Sequence, residues 1–262
     1  PANLMGIRGC MAVMPGVPMV AVFDTGWGMA MEKSHYMYAL PYEAYENYKV
    51  RRYGFHGTSH RYVTGRALEL LGNPNAKVIT CHLGNGSSVS CSKAGKCVDT
   101  SMGLTPLEGL PMGTRCGSID PAIMPFLMDK TGMTAKEMDT YMNKKSGMLG
   151  ISGISSDFRD LGALDMFVYA VKKYIGSYAA ALNGADAIVF TAGVGENDRE
   201  VRRDILKDME YMGIVADFDY NMTCPRGEEV CISKPESKVK IFVIPTDEEM
   251  TIARDTARLV TK

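Results

Sequence analysis

Residues 78–91, VITCHLGNGSSVSC, hold two short apolar runs on either side of a turn made of Gly84, Asn85 and Gly86 followed by Ser87 and Ser88. A strand, a glycine turn and a second strand present many backbone N–H groups in a small volume, a concavity suited to phosphate. Asn-Gly is equally the commonest two-residue hairpin turn, so this stretch alone leaves a purely structural reading open. The weight shifts toward a ligand because several more glycine-rich turns follow apolar runs elsewhere in the chain.

A chain of 262 residues buries a proper core as one large domain, or as one domain and part of another. A formal net charge of −1 without runs of one sign argues against nucleic acid or a membrane surface held by bulk charge. Seven cysteines, none in a C-x-x-C pair, indicate neither a disulfide framework nor a zinc site, and imply a reduced, cytoplasmic protein in which Cys81 and Cys91 fill the core. The 20 methionines read as core filling, and no apolar run is long enough for a membrane span. The start at Pro1, with an apolar run at 18–23 close behind, raises the expectation of a fragment.

Residues 17–25 read as a buried strand ending at Asp24, a carboxylate placed for a ligand or for a cap. Five tyrosines between 36 and 48 suit an amphipathic surface or interface element. In RRYGFHGTSH, residues 51–60, Thr58 or Ser59 is expected to cap the helix that runs to Gly72, which puts His56 just before a helix N-terminus. Arg115 lies between Gly113 and Gly117, where its backbone can approach a ligand and its planar fork can reach phosphate or carboxylate oxygens. Asp120 before Pro121 reads as a helix start, and Thr134 with Glu137 as a capping box. Residues 147–161 read as a loop carrying Asp157, Phe158 and Arg159, and 163–182 as a long helix. A strand at 187–191 leads into the turn AGVGEN, 192–197, and a helix through Met212; a strand at 240–244 ends at carboxylates suited to magnesium or to a helix N-terminus.

Together FDT (23–25), RRYGFHGTSH (51–60), HLGNGSS (82–88), VDTSMGLTPLEG (98–109), MGTR and IDPAI (112–123), GISSDFRDL (153–161), FTAGVGEN (190–197) and IPTDEE (244–249) closely resemble the acetate kinase family. The resemblance covers nearly the whole chain. It implies an α/β, RNase H-like (actin-like ATPase) fold and a reversible transfer of phosphoryl from Mg-ATP to acetate, with manganese as an alternative metal. By that resemblance Asp24, His56 and Arg115 are catalytic. Arg115 would stabilise the phosphoryl in flight, His56 would donate to it, and Asp24 would act through the polar network and the metal, with Glu248 helping to hold that metal. His82, Gly84, Asn85, Gly86 and Ser87 would serve the phosphates. Asp157, Phe158 and Arg159, with Gly193, Gly195, Glu196 and Asn197, would surround the nucleoside of ATP or ADP.

The sequence also departs from the family. The family carries a substantial N-terminal segment ahead of this chain's start, with a phosphate-binding hairpin, an asparagine near the metal and a second active-site arginine. Gly26, Trp27 and Gly28 replace a phenylalanine, histidine and glutamine after FDT, Ser118 replaces an aspartate, and the connection between Leu161 and Leu164 is short. The expected organisation is one nearly complete domain and remnants of a second: residues 1–27 a remnant of the N-terminal domain, 28–249 a nucleotide-binding and dimerisation domain, and 250–262 a helix returning to the N-terminal domain. A homodimer is implied, as is weak or absent turnover in this chain. The alternatives are a propionate or butyrate kinase and a non-catalytic nucleotide-binding module.

Overall fold

A computed structural model describes residues 2–156 and 161–261. Its strands are β1 (Lys77–His82), β2 (Ser88–Lys93), β3 (Lys96–Thr100), β4 (Ala187–Thr191), β5 (Val230–Cys231) and β6 (Lys240–Val243), in one sheet of order β3-β2-β1-β4-β6-β5. β1 and β2 form the expected hairpin, Thr80 opposite Ser90. β1, β4 and β6 run parallel, Cys81 beside Phe190 and Phe190 beside Val243. Parallel strands need helices on both faces, which is why β1 and β4 read as nearly continuous apolar runs.

Alternation along these strands sends side chains to two cores. Ile79, Cys81, Ile188, Phe190 and Ile241 meet Phe167, Val171 and Ile175 of the helix Leu161–Leu182 and Val201 and Ile205 of the helix Arg199–Leu206. On the other face Val78, Ala187, Val189 and Phe242 meet Val63 and Ala67 of the helix Gly57–Leu71. The helix Glu248–Val260 is tied to Gly57–Leu71 by the ion pair of Asp255 with Arg61. No described helix is long and apolar enough to cross a membrane.

Several local expectations hold. Thr134 and Glu137 form the capping box, and the long helix stops at Asn183 and Gly184, both at positive φ. All seven cysteines are free, with Cys81 and Cys91 buried.

Others are corrected. Residues 17–23 form no strand, and Val17, Met19 and Phe23 are exposed; a strand exists only where a neighbour completes its ladder, and the described sheet lends no edge there. The segment AGVGEN is a short helix, Ala192–Asn197, started by the Glu196 carboxylate accepting the Ala192 N–H. The next helix ends at Leu206, and a 3-10 turn, Glu210–Met212, follows. Residues Gly147–Ser152 are helical, within a stretch read as loop. The methionines divide between core (Met102, Met112, Met148) and surface (Met5, Met11, Met19).

Phe190 is fully buried in β4, the strand paired on both sides by β1 and β6. Phe190→Ala is expected to cost about 3–5 kcal/mol in urea denaturation. Thr134→Ala, which removes one exposed cap, is expected to cost about 1 kcal/mol.

Candidate functional site

The carboxyl ends of β1, β4 and β6 lie side by side, so the loops that follow them face one another, the place where open α/β sheets bind ligands. The first two are joined by backbone bonds: the Val194 and Gly195 N–H groups donate to the Leu83 carbonyl at 2.8 and 3.1 Å. Glu196 joins the third, because the oxygen that caps Ala192 also accepts the Thr246 N–H at 3.2 Å. Asn197 donates to the Gly193 carbonyl. Inside the β1–β2 loop the Ser87 hydroxyl accepts from the Gly84 N–H and donates to the Gly84 carbonyl, closing the turn. Asn85 stands outward with its side chain against Gly113, where a Cβ would run into Oδ1.

Asp24 is the cap of the Gly57–Leu71 helix, a role expected of Thr58 or Ser59. Its carboxylate accepts the His56 N–H at 2.7 Å and the Thr58 N–H at 3.1 Å. The residue at the N-cap position, His56, uses no side-chain cap of its own and sits in the left-handed region at φ +55°. A non-glycine residue held there is strained, and the carboxylate bond on its N–H is one of the forces that hold it.

From that position the His56 ring turns toward Arg115. A Cβ built on Gly86 would stand 3.4 Å from His56 Nε2 and 3.5 Å from Arg115 Nη1, so the two side chains converge on the glycine of the turn. Arg115 is held from behind: its carbonyl accepts the Met112 N–H at 3.0 Å, and Nη1 donates to the Pro106 carbonyl at 3.2 Å. Gly147, at φ +62°, leaves room for this loop, since a Cβ there would strike the Met112 and Arg115 backbone. The His82 ring stacks on His56 at 4.0 Å between centroids.

Burial pushes both rings down, His56 to about 4 and His82 to about 3. For His56 the Asp24 carboxylate works against burial and Arg115 adds to it; for His82 the neighbouring His56 adds to it. Glu248, half-buried at the start of the last helix, has its carboxyl pushed up by burial, then by Asp24 and Glu249. Glu249 itself is exposed. Asp24 and Glu248 are thus a carboxylate pair on the His56 side of the cleft, and no group of three acidic, histidine or cysteine ligands occurs among the described residues. Asp157, Phe158 and Arg159 lie outside the described residues.

Two groups have no site role in the sequence reading. Arg202 is buried on the apolar side of its helix and donates to the Gly195 and Glu196 carbonyls at 2.9 and 2.8 Å, closing the far end of the 192–197 helix. Its signal was an arginine at a helical position next to buried Val201 and Ile205. Buried His60 and Ser88 lie behind His56, and Thr246 donates to Ser59, which contacts His82. Ser118, at the aspartate position of the family pattern, accepts the Gly109 N–H.

The acetokinase family profile matches residues 1–254. The acetate kinase of Methanosarcina barkeri is 57% identical over 274 residues, covering 99% of this chain and 67% of its own length. That of Caldicellulosiruptor bescii is 57% identical over 276 residues, covering 100% and 69%. This chain therefore spans about two thirds of the length of these relatives. Among solved structures, the acetate kinase of Porphyromonas gingivalis superimposes with a TM-score of 0.95 at 48% identity, covering 99% of this chain and 68% of its own. A propionate kinase from Francisella tularensis gives 0.90 at 41%, covering 97% and 68%.

The histidine environments set a pH dependence. Both rings sit below the ordinary imidazole value of 6.5 in the folded chain, at about 4 and about 3, so between those values the unfolded chain binds more protons. Stability is therefore full above about pH 6.5 and falls as pH drops toward about 4. Urea midpoints are expected to decline over that window, and His82→Gln to decline less steeply; a flat profile in the parent chain would contradict the burial argument.

Proposed function

The chain belongs to the acetokinase family, and from that membership we propose that it transfers the terminal phosphoryl of ATP to acetate, forming acetyl phosphate and ADP, and catalyses the reverse. The observation that carries the reading is the convergence of Arg115 Nη1 and His56 Nε2 on Gly86, with Asp24 and Glu248 on the His56 side. Phosphoryl transfer asks a protein for positioning and charge neutralisation more than for covalent chemistry, and this pocket is made of those parts.

Arg115 brings a fixed positive charge to the equatorial oxygens of the phosphoryl. Neutral near pH 7, His56 brings a directed hydrogen bond without charge, so charge neutralisation falls on Arg115. His82, Asn85 and Gly86 line the phosphates, and Gly84 and Ser87 keep the turn in shape. The nucleoside lies over Gly193, Gly195 and Asn197. Glu196 acts by holding two loops together, because its Oε1 is already shared between Ala192 and Thr246.

Asp24 and Glu248 fit a magnesium ion, with manganese as a second hard cation: both offer oxygen donors, and the Glu248 carboxyl, pushed up first by burial and then by Asp24, is one whose charged form a divalent cation would favour. Magnesium bound there would supply positive charge to the phosphates. In the same reading residues 28–249 form the nucleotide-binding and dimerisation domain, residues 1–27 and 250–262 belong to a second domain, two copies pair, and the protein works in the cytoplasm, where its seven free thiols stay reduced.

Arg115→Ala is expected to lower kcat for acetyl phosphate formation by roughly 10³-fold while leaving ATP affinity near the parent value. An unchanged kcat would remove Arg115 from the mechanism. Across acetate, propionate and butyrate, kcat/KM is expected to be highest for acetate; ADP binding without phosphorylation of any acid would favour a non-catalytic nucleotide-binding module.

A further inference from the structure

Behind His56 a line of polar groups runs into the sheet. Ser88 Oγ lies 2.9 Å from His56 Nδ1 and 2.7 Å from His60 Nε2, and His60 Nδ1 lies 2.7 Å from Thr80 Oγ1. His60, Ser88 and Thr80 are fully buried, and Trp27 stacks on the His60 ring at 5.8 Å.

Each hydroxyl in this line owns one proton and can accept two bonds, and the only side-chain partners of Ser88 Oγ among the described residues are the two ring nitrogens, so the Ser88 proton is bonded only if it points at whichever ring does not donate to it. If the Thr80 proton went away from His60, its acceptor would be the Ser90 carbonyl at 3.5 Å, the outer limit of a hydrogen bond. A buried hydroxyl proton left so poorly bound keeps most of its desolvation penalty. Directed at His60 Nδ1, the same proton makes a 2.7 Å bond. His60 then carries its own proton on Nε2 and gives it to Ser88. Ser88, accepting there, must donate to His56 Nδ1, and His56 is left with its proton on Nε2, toward Gly86 and Arg115.

His82 is set the same way by different residues. The Thr246 hydroxyl donates to Ser59 Oγ at 2.8 Å, which leaves His82 Nδ1, 2.8 Å away, as the only side-chain partner among the described residues that can take the Ser59 proton; with that proton bonded there, His82 also carries its own on Nε2.

We propose that Ser88 and the His60–Thr80 pair behind it are positioning residues that lock His56 in the Nε2–H tautomer, with Ser59 and Thr246 doing the same for His82. Neither ring could otherwise donate to a phosphate in its uncharged form. Two imidazoles stacked at 4.0 Å repel if both are cations, so a hydroxyl-fixed tautomer is the means by which this stack presents two donors without two charges. With His56 Nε2–H and Arg115 Nη1 both aimed near Gly86, donor stands beside donor, an arrangement that an anion between them completes. The proposal rests on the phosphate-site reading above for its purpose, and on the hydrogen-bond line alone for its geometry.

Two-bond 1H–15N correlation spectra of the 15N-labelled 262-residue chain near pH 7 report which ring nitrogen is protonated. The parent chain is expected to show unprotonated Nδ1 and protonated Nε2 for both His56 and His82. Ser88→Ala is expected to give His56 a mixture of tautomers while His82 keeps its pattern, and Ser59→Ala the reverse. Ser88→Thr, which returns the hydroxyl, is expected to restore the His56 pattern. In turnover, Ser88→Ala is expected to lower kcat roughly 10-fold with KM for ATP unchanged. A proton on His56 Nδ1 in the parent chain, or a His56 pattern indifferent to Ser88→Ala, overturns the proposal whether or not a variant is stable. If the tautomers behave as expected but His56→Ala leaves transfer unchanged, the phosphate-site reading fails while the hydrogen-bond line stands.

Discussion

The capping of the Gly57–Leu71 helix by Asp24 is the interaction on which the rest of the site depends. Two backbone N–H groups, of His56 and Thr58, share one carboxylate that lies more than thirty residues earlier in the chain. The helix thereby begins immediately after a histidine forced to positive φ, and the strained residue throws its imidazole across the opening of the sheet toward Ser88 and Gly86. A local serine or threonine cap would have served the helix as well. It would not have tied the 23–26 turn to the histidine, nor brought the Asp24 carboxylate within reach of Glu248.

The three parallel strands supply a rigid frame for this arrangement. Their ends fix where the loops start, and the loops are then bonded to one another: Leu83 to Val194 and Gly195, Glu196 to Thr246, Arg202 to the last carbonyls of the 192–197 helix. Glu196 and Arg202 spend their hydrogen bonds within the fold, on backbone groups, the Thr191 hydroxyl, the Asn221 amide and the Cys224 thiol, so they hold the shape of the cleft. Arg115, Asn85 and Gly86, by contrast, stand at its surface. This division follows from chemistry, since a buried guanidinium is tolerable only when its protons are satisfied, and that of Arg202 is satisfied by the Gly195 and Glu196 carbonyls, Asn221 and Cys224.

Much of the fold was legible in the chain because its signals are local. The β1–β2 hairpin, the strand 187–191, the capping box at Thr134 and the stop at Asn183-Gly184 each follow from periodicity or turn chemistry within a dozen residues. The strand expected at 17–25 failed for the complementary reason: an apolar run says that a segment could pair and is silent on whether a partner edge exists. Two glycines in AGVGEN argue for a turn and against a helix, and Glu196, by capping its own helix, outweighs them.

For the site, residue types and order were readable from the sequence: a carboxylate after the first apolar run, a histidine before a helix, an arginine between glycines, a glycine turn after a strand, carboxylates after the last strand. By itself the sequence determined which chemical groups are present and which loop carries each, since side-chain chemistry and turn preference are properties of short segments. Only the tertiary structure decided that Asp24 caps a distant helix, that His56 and Arg115 meet over Gly86, and that Ser88, His60 and Thr80 line up behind His56. Those relations span separations that no local periodicity encodes, and they exist because parallel strand ends converge on one edge of the sheet, where buried polar groups must find one another or remain unsatisfied.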